Sequence, residues 1–573
     1  MSRLNRGRRV TGGPSQTDAN PTRLVRCLSR ATLFDWIQPA PLTSSHYLSH
    51  PALVECGTLI RILRRISVWR SQTGSLRKYQ LMIRTHTGWC GLLLLLAVPC
   101  LGQNRVRAYY DDDFVLETID GSFQLRIRGN FHLDTRLFQS EARGAPHSID
   151  LRRARIDLQG RIHERFTFRL HPELAGKPYL RNAWVDVQFS PALHLRLGQM
   201  KVPFSTSWLT LDNNLNFLER GASAPALPFF DRGALLWGDL WAGTVTYSLG
   251  VFTGANADAD VPSGDTDDYK DLSARLFTQP FRTSEDHALA GLYLVADGTW
   301  GKMSTPTSRI ETGGYQSANY DAALWRWRTE QILGTDGRVT DRVGAQIETR
   351  YRLGAELHYL SGPFAFSTEY LAVHYNDIAL YHNFYVGSSR VVHDELYRTD
   401  GVVRSWSTWA SLYLTGESKR LTDQGWRTAK PHSLVGNGGL GAWEALARLT
   451  RTWTTHSLFA PVAVTGLETG SSSLPEGYTG AIPGAGNTLV AAVSDGAHDV
   501  YEVTLGLNWT INPMVRIQLN DVLLWAPASD RDGDGTNDNF IVSGAKSGQV
   551  DPDRMFRKAK WENAIMLRLA FKF

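Results

Sequence analysis

FQLRIRGNFHLDTRLF, residues 123–138, decides the fold class. Phe123, Leu125, Ile127, Phe131, Leu133 and Leu137 share one parity, while Gln124, Arg126, Arg128, Asn130, His132, Asp134 and Arg136 share the other. Successive side chains leave opposite faces of a strand, so this one has an apolar face and an ionic face. Its 16 residues would extend roughly 50 Å, far beyond the usual strand of about 5–6 residues. A tilted strand crosses a bilayer in about 9–11 residues. Two solvents, hydrocarbon and water, explain such a strand better than a soluble core.

The pattern recurs to the end of the chain. Tyr501, Val503, Leu505, Leu507, Trp509 and Ile511 alternate with Glu502, Thr504, Gly506, Asn508 and Thr510, and Ile565, Leu567, Leu569, Phe571 and Phe573 stand opposite Arg568 and Lys572. Sixteen such segments are read: 123–138, 148–162, 166–174, 180–190, 193–204, 233–240, 243–255, 270–281, 288–299, 346–362, 364–376, 403–416, 442–453, 500–512, 515–527 and 560–573. Most even-numbered segments lead into tiny turns, such as Pro191-Ala192 and Asn512-Pro513-Met514. Most odd-numbered ones lead into long connections, notably 205–232, 300–345, 454–499 and 528–559. The expected fold is all-β: a 16-stranded antiparallel transmembrane β-barrel with short periplasmic turns and long external loops. Trp453, Trp509, Trp525 and Trp561 suit interfacial girdles against outer-membrane lipid. The connection 417–441 follows an even-numbered segment and is long, against the rule.

The first hundred residues differ in kind. Residues 1–102 hold 14 Lys+Arg and 3 Asp+Glu, leaving 47 and 53 for the rest, so a net charge of +5 divides into +11 and −6. All four cysteines, Cys27, Cys56, Cys90 and Cys100, lie there too, which excludes a disulfide scaffold or thiolate metal site from 103–573. MIRTHTGWCGLLLLLAVPCLG at 82–102 has the charged, apolar and small-residue regions of a secretory signal peptide. A lipoprotein reading would modify Cys100, but Pro99 stands where a small residue is needed. The expected organisation is a non-native upstream extension at 1–81, a signal peptide at 82–102, a short periplasmic segment at 103–122 and a barrel at 123–573. Translation would start at Met82, and the mature N-terminus would lie near Gln103. The rival for 1–81 is a basic nucleic-acid arm; nucleic acid is not among the expected partners.

Several stretches resemble the phosphate- and polyphosphate-selective porins, the porin O and P family of bacterial outer membranes. They are LRRARIDLQG at 151–160, LRNAWVDV at 180–187, GQMKVPF at 198–204, FLER at 217–220, YSLGVFTGANAD at 247–258, LYLTGES at 412–418, GAWEALAR at 441–448 and LGLNWTIN at 505–512. GQMKVPF followed by FLER is the most specific pair. The resemblance implies a trimeric barrel, exported to the outer membrane, whose waist is lined by arginines and lysines. Inward-folded loops and one unusual periplasmic turn build that waist, and 417–441, with Lys419, Arg420, Arg427 and Lys430, matches the turn. The C-terminal strand ending in Phe573 would be read by the barrel-assembly machinery.

Rings of Arg or Lys at a constriction favour anions, and a guanidinium fork suits phosphate. By parity, Arg126, Arg128, Arg153 and Arg155 face water; strict parity sends Arg152 toward lipid, so a bulge or an interfacial position is needed there. By resemblance, Arg152, Arg153, Arg220, Lys270 and Arg275 join the anion pathway, with Lys201, Arg427 and Lys430 at the constriction loop and turn. Any single arginine reads equally well as a wall residue braced by a carboxylate, and Asp134 and Asp157 are available for that; the cluster favours an anion path. The chain also departs from the phosphate-specific members. Asn130 replaces an arginine, Asp212-Asn213-Asn214 replaces a lysine-bearing stretch, and Asp258, Asp260, Asp265, Asp267 and Asp268 crowd one loop. The function expected is passive diffusion of small inorganic anions such as phosphate or polyphosphate. The alternative is a general or weakly selective porin, or a structural or adhesive barrel.

Asp530, Asp532, Asp534 and Asp538 in DRDGDGTND take calcium-loop positions 1, 3, 5 and 9, with Gly535 at 6. Ile541 replaces the bidentate Glu, so a solvated external loop tip competes with weak Ca²⁺ binding; no other cofactor is implied. No GxSxG, HExxH or P-loop occurs, and no enzyme is expected. The segment 103–122 is too short for the plug of an energised transporter.

Overall fold

The computed structural model describes residues 105–573 except 112, 141–146, 177, 224–226, 255–267, 284–287, 303–308, 312–324, 329–330, 334–338, 387–388, 456–461, 466–487, 492, 531–536, 538, 540 and 544–556. The expected signal peptide and upstream extension lie outside the described residues, as do Asp532, Asp534 and Asp538.

Sixteen antiparallel strands form the wall. They are β1 (Phe123–Ser140), β2 (Ser148–Ile162), β3 (Phe166–Glu173), β4 (Tyr179–Ser190), β5 (Leu193–Lys201), β6 (Phe230–Leu240), β7 (Val245–Phe252) and β8 (Asp271–Thr278). The second half comprises β9 (Leu292–Lys302), β10 (Val339–Ser361), β11 (Phe364–Val386), β12 (Ser389–Tyr413), β13 (Ala442–Thr454), β14 (Asp499–Thr510), β15 (Val515–Trp525) and β16 (Trp561–Lys572). Each pairs with the next, and β16 closes on β1 from Glu562↔Ser140 to Lys572↔Asn130. Closure leaves no open strand edge in the hydrocarbon layer. The barrel is inside-out: Leu133, Leu505, Leu567 and Leu569 are exposed outward, while Asp134, Arg136, Glu502 and Arg568 are buried inward.

Three features differ from the sequence reading. The stretch 377–402, read as an external loop, is the upper half of two strands, since β11 and β12 pair from Phe364↔Leu412 to Val386↔Ser389. Segment 103–122, expected as a short periplasmic segment, carries secondary structure that the sequence reading did not assign: Val106–Tyr110 and Phe114–Thr118 form a hairpin, and its second strand pairs with β1 from Phe114↔Ile127 to Glu117↔Gln124. The lower edge of β1 is thus taken by the hairpin and the upper edge by β16. Phe573 sits at the joint, exchanging backbone hydrogen bonds with Gly129 at 2.8 and 3.1 Å. Its ring covers Gly129 so closely that a Cβ there would lie 2.1 Å from it.

The third difference is two β-bulges. His132 pairs with Arg153 but Leu133 with Leu151, so β2 carries one extra residue, Arg152. His171 pairs with Asn182 but Pro172 with Leu180, so β4 carries an extra Arg181. A bulge opposes two residues to one and resets parity. Each therefore turns a further arginine into the lumen while the flanking leucines, Leu151 and Leu180, stay outside. Of the two options for Arg152, the structure has the bulge.

Candidate functional site: the lumen waist

The described residues of the connection between β5 and β6, 202–223 and 227–229, fold into the barrel and cross to the far wall. It starts with the one-turn helix Thr206–Leu209, capped by the Ser205 hydroxyl, which accepts from the Trp208 amide. The wall receives this start with carboxylates. Asp297 accepts from the Ser205 amide at 3.1 Å, and Glu356 from the Thr206 amide at 2.9 Å. Farther along, polar wall side chains pair with the loop backbone. Arg516 donates to the Leu215 carbonyl (2.9 Å), Asn508 to that of Asn216 (2.9 Å), Arg568 to that of Leu218 (2.6 Å) and Arg448 to that of Glu219 (3.1 Å). Irregular backbone survives at membrane depth because protein groups satisfy it.

From the periplasmic end, the connection 414–441 rises to meet the loop, which accounts for its unusual length. Its small hairpin, Arg420–Thr422 with Gly425–Arg427, docks through the Trp426 amide, which donates to the Thr210 hydroxyl at 3.0 Å. Gly425 has φ +98°, and a Cβ there would lie 2.5 Å from the Thr210 Cα, so only glycine suits this approach. Lys419 is buried, pairs with Glu444 and donates to Asn216 Oδ1 at 2.8 Å. The lumen is narrowed by the loop and the turn together.

Two loop carboxylates organise the waist. Asp212 pairs with Arg153 (3.7 Å), Arg155, Arg181 (3.5 Å) and Arg220 (3.2 Å). Glu219 pairs with Arg136 (2.9 Å), Arg152 (3.0 Å), Arg153 (3.4 Å) and Arg568 (3.3 Å). Asp134 and Glu173 complete one connected network of seven arginines and four carboxylates. Burial opposes ionisation of Asp212 and Glu219, but the surrounding guanidiniums outweigh it and hold both carboxyls well below their usual range.

Beneath the waist lies a chamber of about 670 Å³, reaching the periplasmic turns at Pro513 and the terminal Phe573. Eleven arginines and lysines line it against five aspartates. Some of these cations are matched: Arg169 grips Asp157 with two bonds of 2.8 Å, and Arg196 holds Asp186 at 2.8 Å. Lys201 donates only to backbone carbonyls, those of Trp208, Leu209 and Thr210. Arg427, at the edge of the inserted turn, makes no ion pair among the described residues and lines the chamber.

The sequence-derived site thus splits. Arg152, Arg153, Arg155 and Arg220 gather on the two loop acids. Arg275 pairs with Asp297 (2.7 Å) and Glu356 (3.1 Å). Arg128, Lys201, Arg427 and Lys430 line the chamber, with Arg128 loosely set at 3.7–3.8 Å from Asp157 and Asp113. Arg126 instead reaches Asp113 (3.3 Å) and Asp111 beside the N-terminal hairpin. Lys270 precedes β8, donates to the Tyr269 carbonyl at 3.0 Å and is not part of the chamber lining. Sequence reasoning missed Arg136, Arg181 and Arg568 as partners of the loop acids. Inward parity marked Arg136 and Arg568, whereas nothing local marked the bulge that turns Arg181 inward.

A closed 16-stranded barrel narrowed by an inward loop and lined with charge has the architecture of a channel. A family model for the phosphate-selective porins O and P matches residues 125–524; the chain belongs to this family and is an outer-membrane porin. No curated protein matches its sequence. Among solved structures it is similar to an anion-selective porin from Comamonas acidovorans, with TM-score 0.43 and 9% identity over 79% of this chain and 100% of the other. OmpT of Vibrio cholerae gives 0.41 and 10%, over 79% and 98%. The outer-membrane channel DcaP of Acinetobacter baumannii gives 0.38 and 8%, over 79% and 98%.

Proposed function

We propose that this porin, as a homotrimer, passes small anions by passive diffusion, inorganic phosphate and short polyphosphates among them. The observation that carries the reading is the unmatched positive charge of the chamber: Arg427 and Lys201 make no ion pair among the described residues, and Arg128 lies 3.7–3.8 Å from its carboxylates. Low-dielectric walls concentrate the field of such an excess and raise the local anion concentration. The waist network also holds more arginines than carboxylates, seven to four, with Arg155, Arg181 and Asp212 common to both regions. Arg427, Lys201 and Arg128 carry the anion path, while Arg152, Arg153, Arg155, Arg220 and Arg275 serve chiefly to hold the loop. Reversal potentials across a planar bilayer in a KCl gradient test this: anion preference is expected, and cation preference would overturn it. Chloride conductance falling as phosphate is added would extend the reading to phosphate.

A second reading, weak selectivity, is favoured by Asp212. It puts a carboxylate in the waist and neutralises part of the cationic ladder. Equal chloride and phosphate permeability with a small reversal potential would select it.

A further inference from the structure

The outer wall must face hydrocarbon wherever it faces lipid, and its middle band is mostly apolar; outward charges such as Arg404 and Arg451 lie level with the aromatic rings of Trp453 and Tyr501. Asp521 is an exception. It lies on β15 between the outward Leu519 and Leu523, is exposed, and points away from the lumen. The same ladder row carries Leu505 on one side and Ile565 on the other. Among the described residues its side-chain partner is the Asn563 amide, which donates to it at 2.6 Å.

Height makes this costly. Four residues above Asp521 are Trp525 and its ring partner Tyr501, 5.6 Å between centroids. Four below, Ile517 pairs with Trp509, which stacks on Trp443 at 5.0 Å. A strand tilted about 40° gains about 2.5 Å of height per residue, so Asp521 is about 10 Å from either aromatic row. That is near the middle of an apolar band about 25 Å tall. An ionised carboxylate at that depth belongs against protein or water rather than lipid.

Other polar groups share this sector. On β16, Asn563 faces outward, and on β1 Gln139 pairs with Asn563 in register while Thr135 pairs with Leu567. The row of Asp521 continues through Ile565 to Leu137, so Thr135 and Gln139 flank it two residues on either side. Below them the N-terminal hairpin exposes Phe114, and its outer strand Val106–Tyr110 is exposed at all five residues. That strand has no further strand partner among the described residues, and open edges are rarely left to solvent.

We infer that the sector β15–β16–β1, continued below by the N-terminal hairpin, is where a second copy of this chain packs, with Asp521 of one protomer against Gln139 or Thr135 of the next. In a three-fold ring a protomer's two contacting flanks lie about 60° apart, which on 16 strands is between two and three strands. Asp521 and the pair Thr135/Gln139 are separated by two strands. The carboxylate accepts from an amide or hydroxyl across the interface, and its burial there removes it from lipid. The inference rests on the homotrimer proposed above.

The test uses the full-length porin with Cys27, Cys56, Cys90 and Cys100 replaced by serine. Asp521→Cys with Gln139→Cys, or with Thr135→Cys, is oxidised in outer-membrane vesicles. Within one protomer the two positions straddle β16, about 9–10 Å apart across two strand spacings, beyond disulfide reach. Covalent dimers and trimers as the major species from at least one pair, with unaltered heat-modifiable mobility and conductance, are expected. Leu276→Cys on β8, half-way round the barrel, replaces Asp521→Cys in the control and should stay monomeric on denaturing gels. A native trimer that neither pair cross-links, equal cross-linking by the Leu276→Cys control, or dimers from Asp521→Cys alone would overturn this interface while leaving the trimer intact. A monomer in native mass measurements would overturn both the interface and the homotrimer, and conductance would still report on the channel.

Discussion

Around Asp212 and Glu219, guanidiniums crowd two buried carboxylates, several at 2.9–3.5 Å. In the chamber below, Arg427 makes no ion pair among the described residues, and Lys201 meets backbone carbonyls and the Trp208 ring. The same kind of residue therefore does different things a short distance apart. In the waist, attraction between charges is used up in holding irregular backbone inside a barrel; in the chamber, the field remains available to a passing ion. A count of basic residues in a lumen says little about selectivity until their partners are counted as well.

Glu219→Gln is expected to have the largest effect, because it removes the acid shared by Arg136, Arg152, Arg153 and Arg568, leaving Asp134 to hold Arg136 and Arg568 and Asp212 to face Arg153. Removing one partner of a buried ion pair costs about 3–5 kcal/mol. Thermal unfolding should fall accordingly, and bilayer conductance should rise and grow noisy as the loop leaves the waist. A quiet, wild-type conductance would mean that the backbone hydrogen bonds alone hold the loop.

Acid provides a second, smaller test. The folded carboxyls of Asp212 and Glu219 ionise well below the usual range near pH 4. Their contribution to stability is therefore fully present above that range and is lost as pH falls through the depressed folded values. Loop-closed conductance should hold from neutrality to about pH 4 and change only below it. A transition between pH 5 and 7 would assign the loop's grip to other groups.

Arg427→Glu sharpens the other half of the comparison. With no ion pair to lose among the described residues and only the nearby Asp423 to repel the new carboxylate, the side chain should be replaceable at a cost well below that of Glu219→Gln, while the reversal potential in a KCl gradient moves toward cations. Should the potential stay fixed and the melting temperature drop, Arg427 would be a structural brace like those above it.

The division between these regions was only partly visible in the chain. Period two exposed all sixteen strands because each residue's parity reports which solvent it meets, a local property. Where both faces are wet the pattern fades, and so 377–402 was read as loop although β11 and β12 run on through it. The loop acids were visible as residues, with Glu219 inside FLER and Asp212 as a departure from the family. Their partners were not, because Arg152 lies 67 positions from Glu219 and Arg568 lies 349 away. Only the closed wall brings those separations within bonding reach. Asp521 was legible as a charge in an apolar run, yet its meaning depends on its outward direction and its height between two aromatic rows.

Arg152→Gln should cost far less than Glu219→Gln, and its size bears on how the network works. Arg152 reaches Glu219 only through the β2 bulge, and its side chain is 14% exposed where those of Arg136 and Arg568 are at most 1%. Three guanidiniums remain on Glu219 when it is removed, so the acid stays compensated and the loss should be about 1 kcal/mol, that of one hydrogen bond. The glutamine can still fill the bulge, so register should persist and strand content should not change. Urea unfolding beside Glu219→Gln measures the ratio directly. If Arg152→Gln costs as much as Glu219→Gln, the arginines act as one indivisible unit, and the excess charge of the waist could not be trimmed residue by residue. If it costs little, evolution or design can alter the charge of the waist through Arg152 while the loop stays shut.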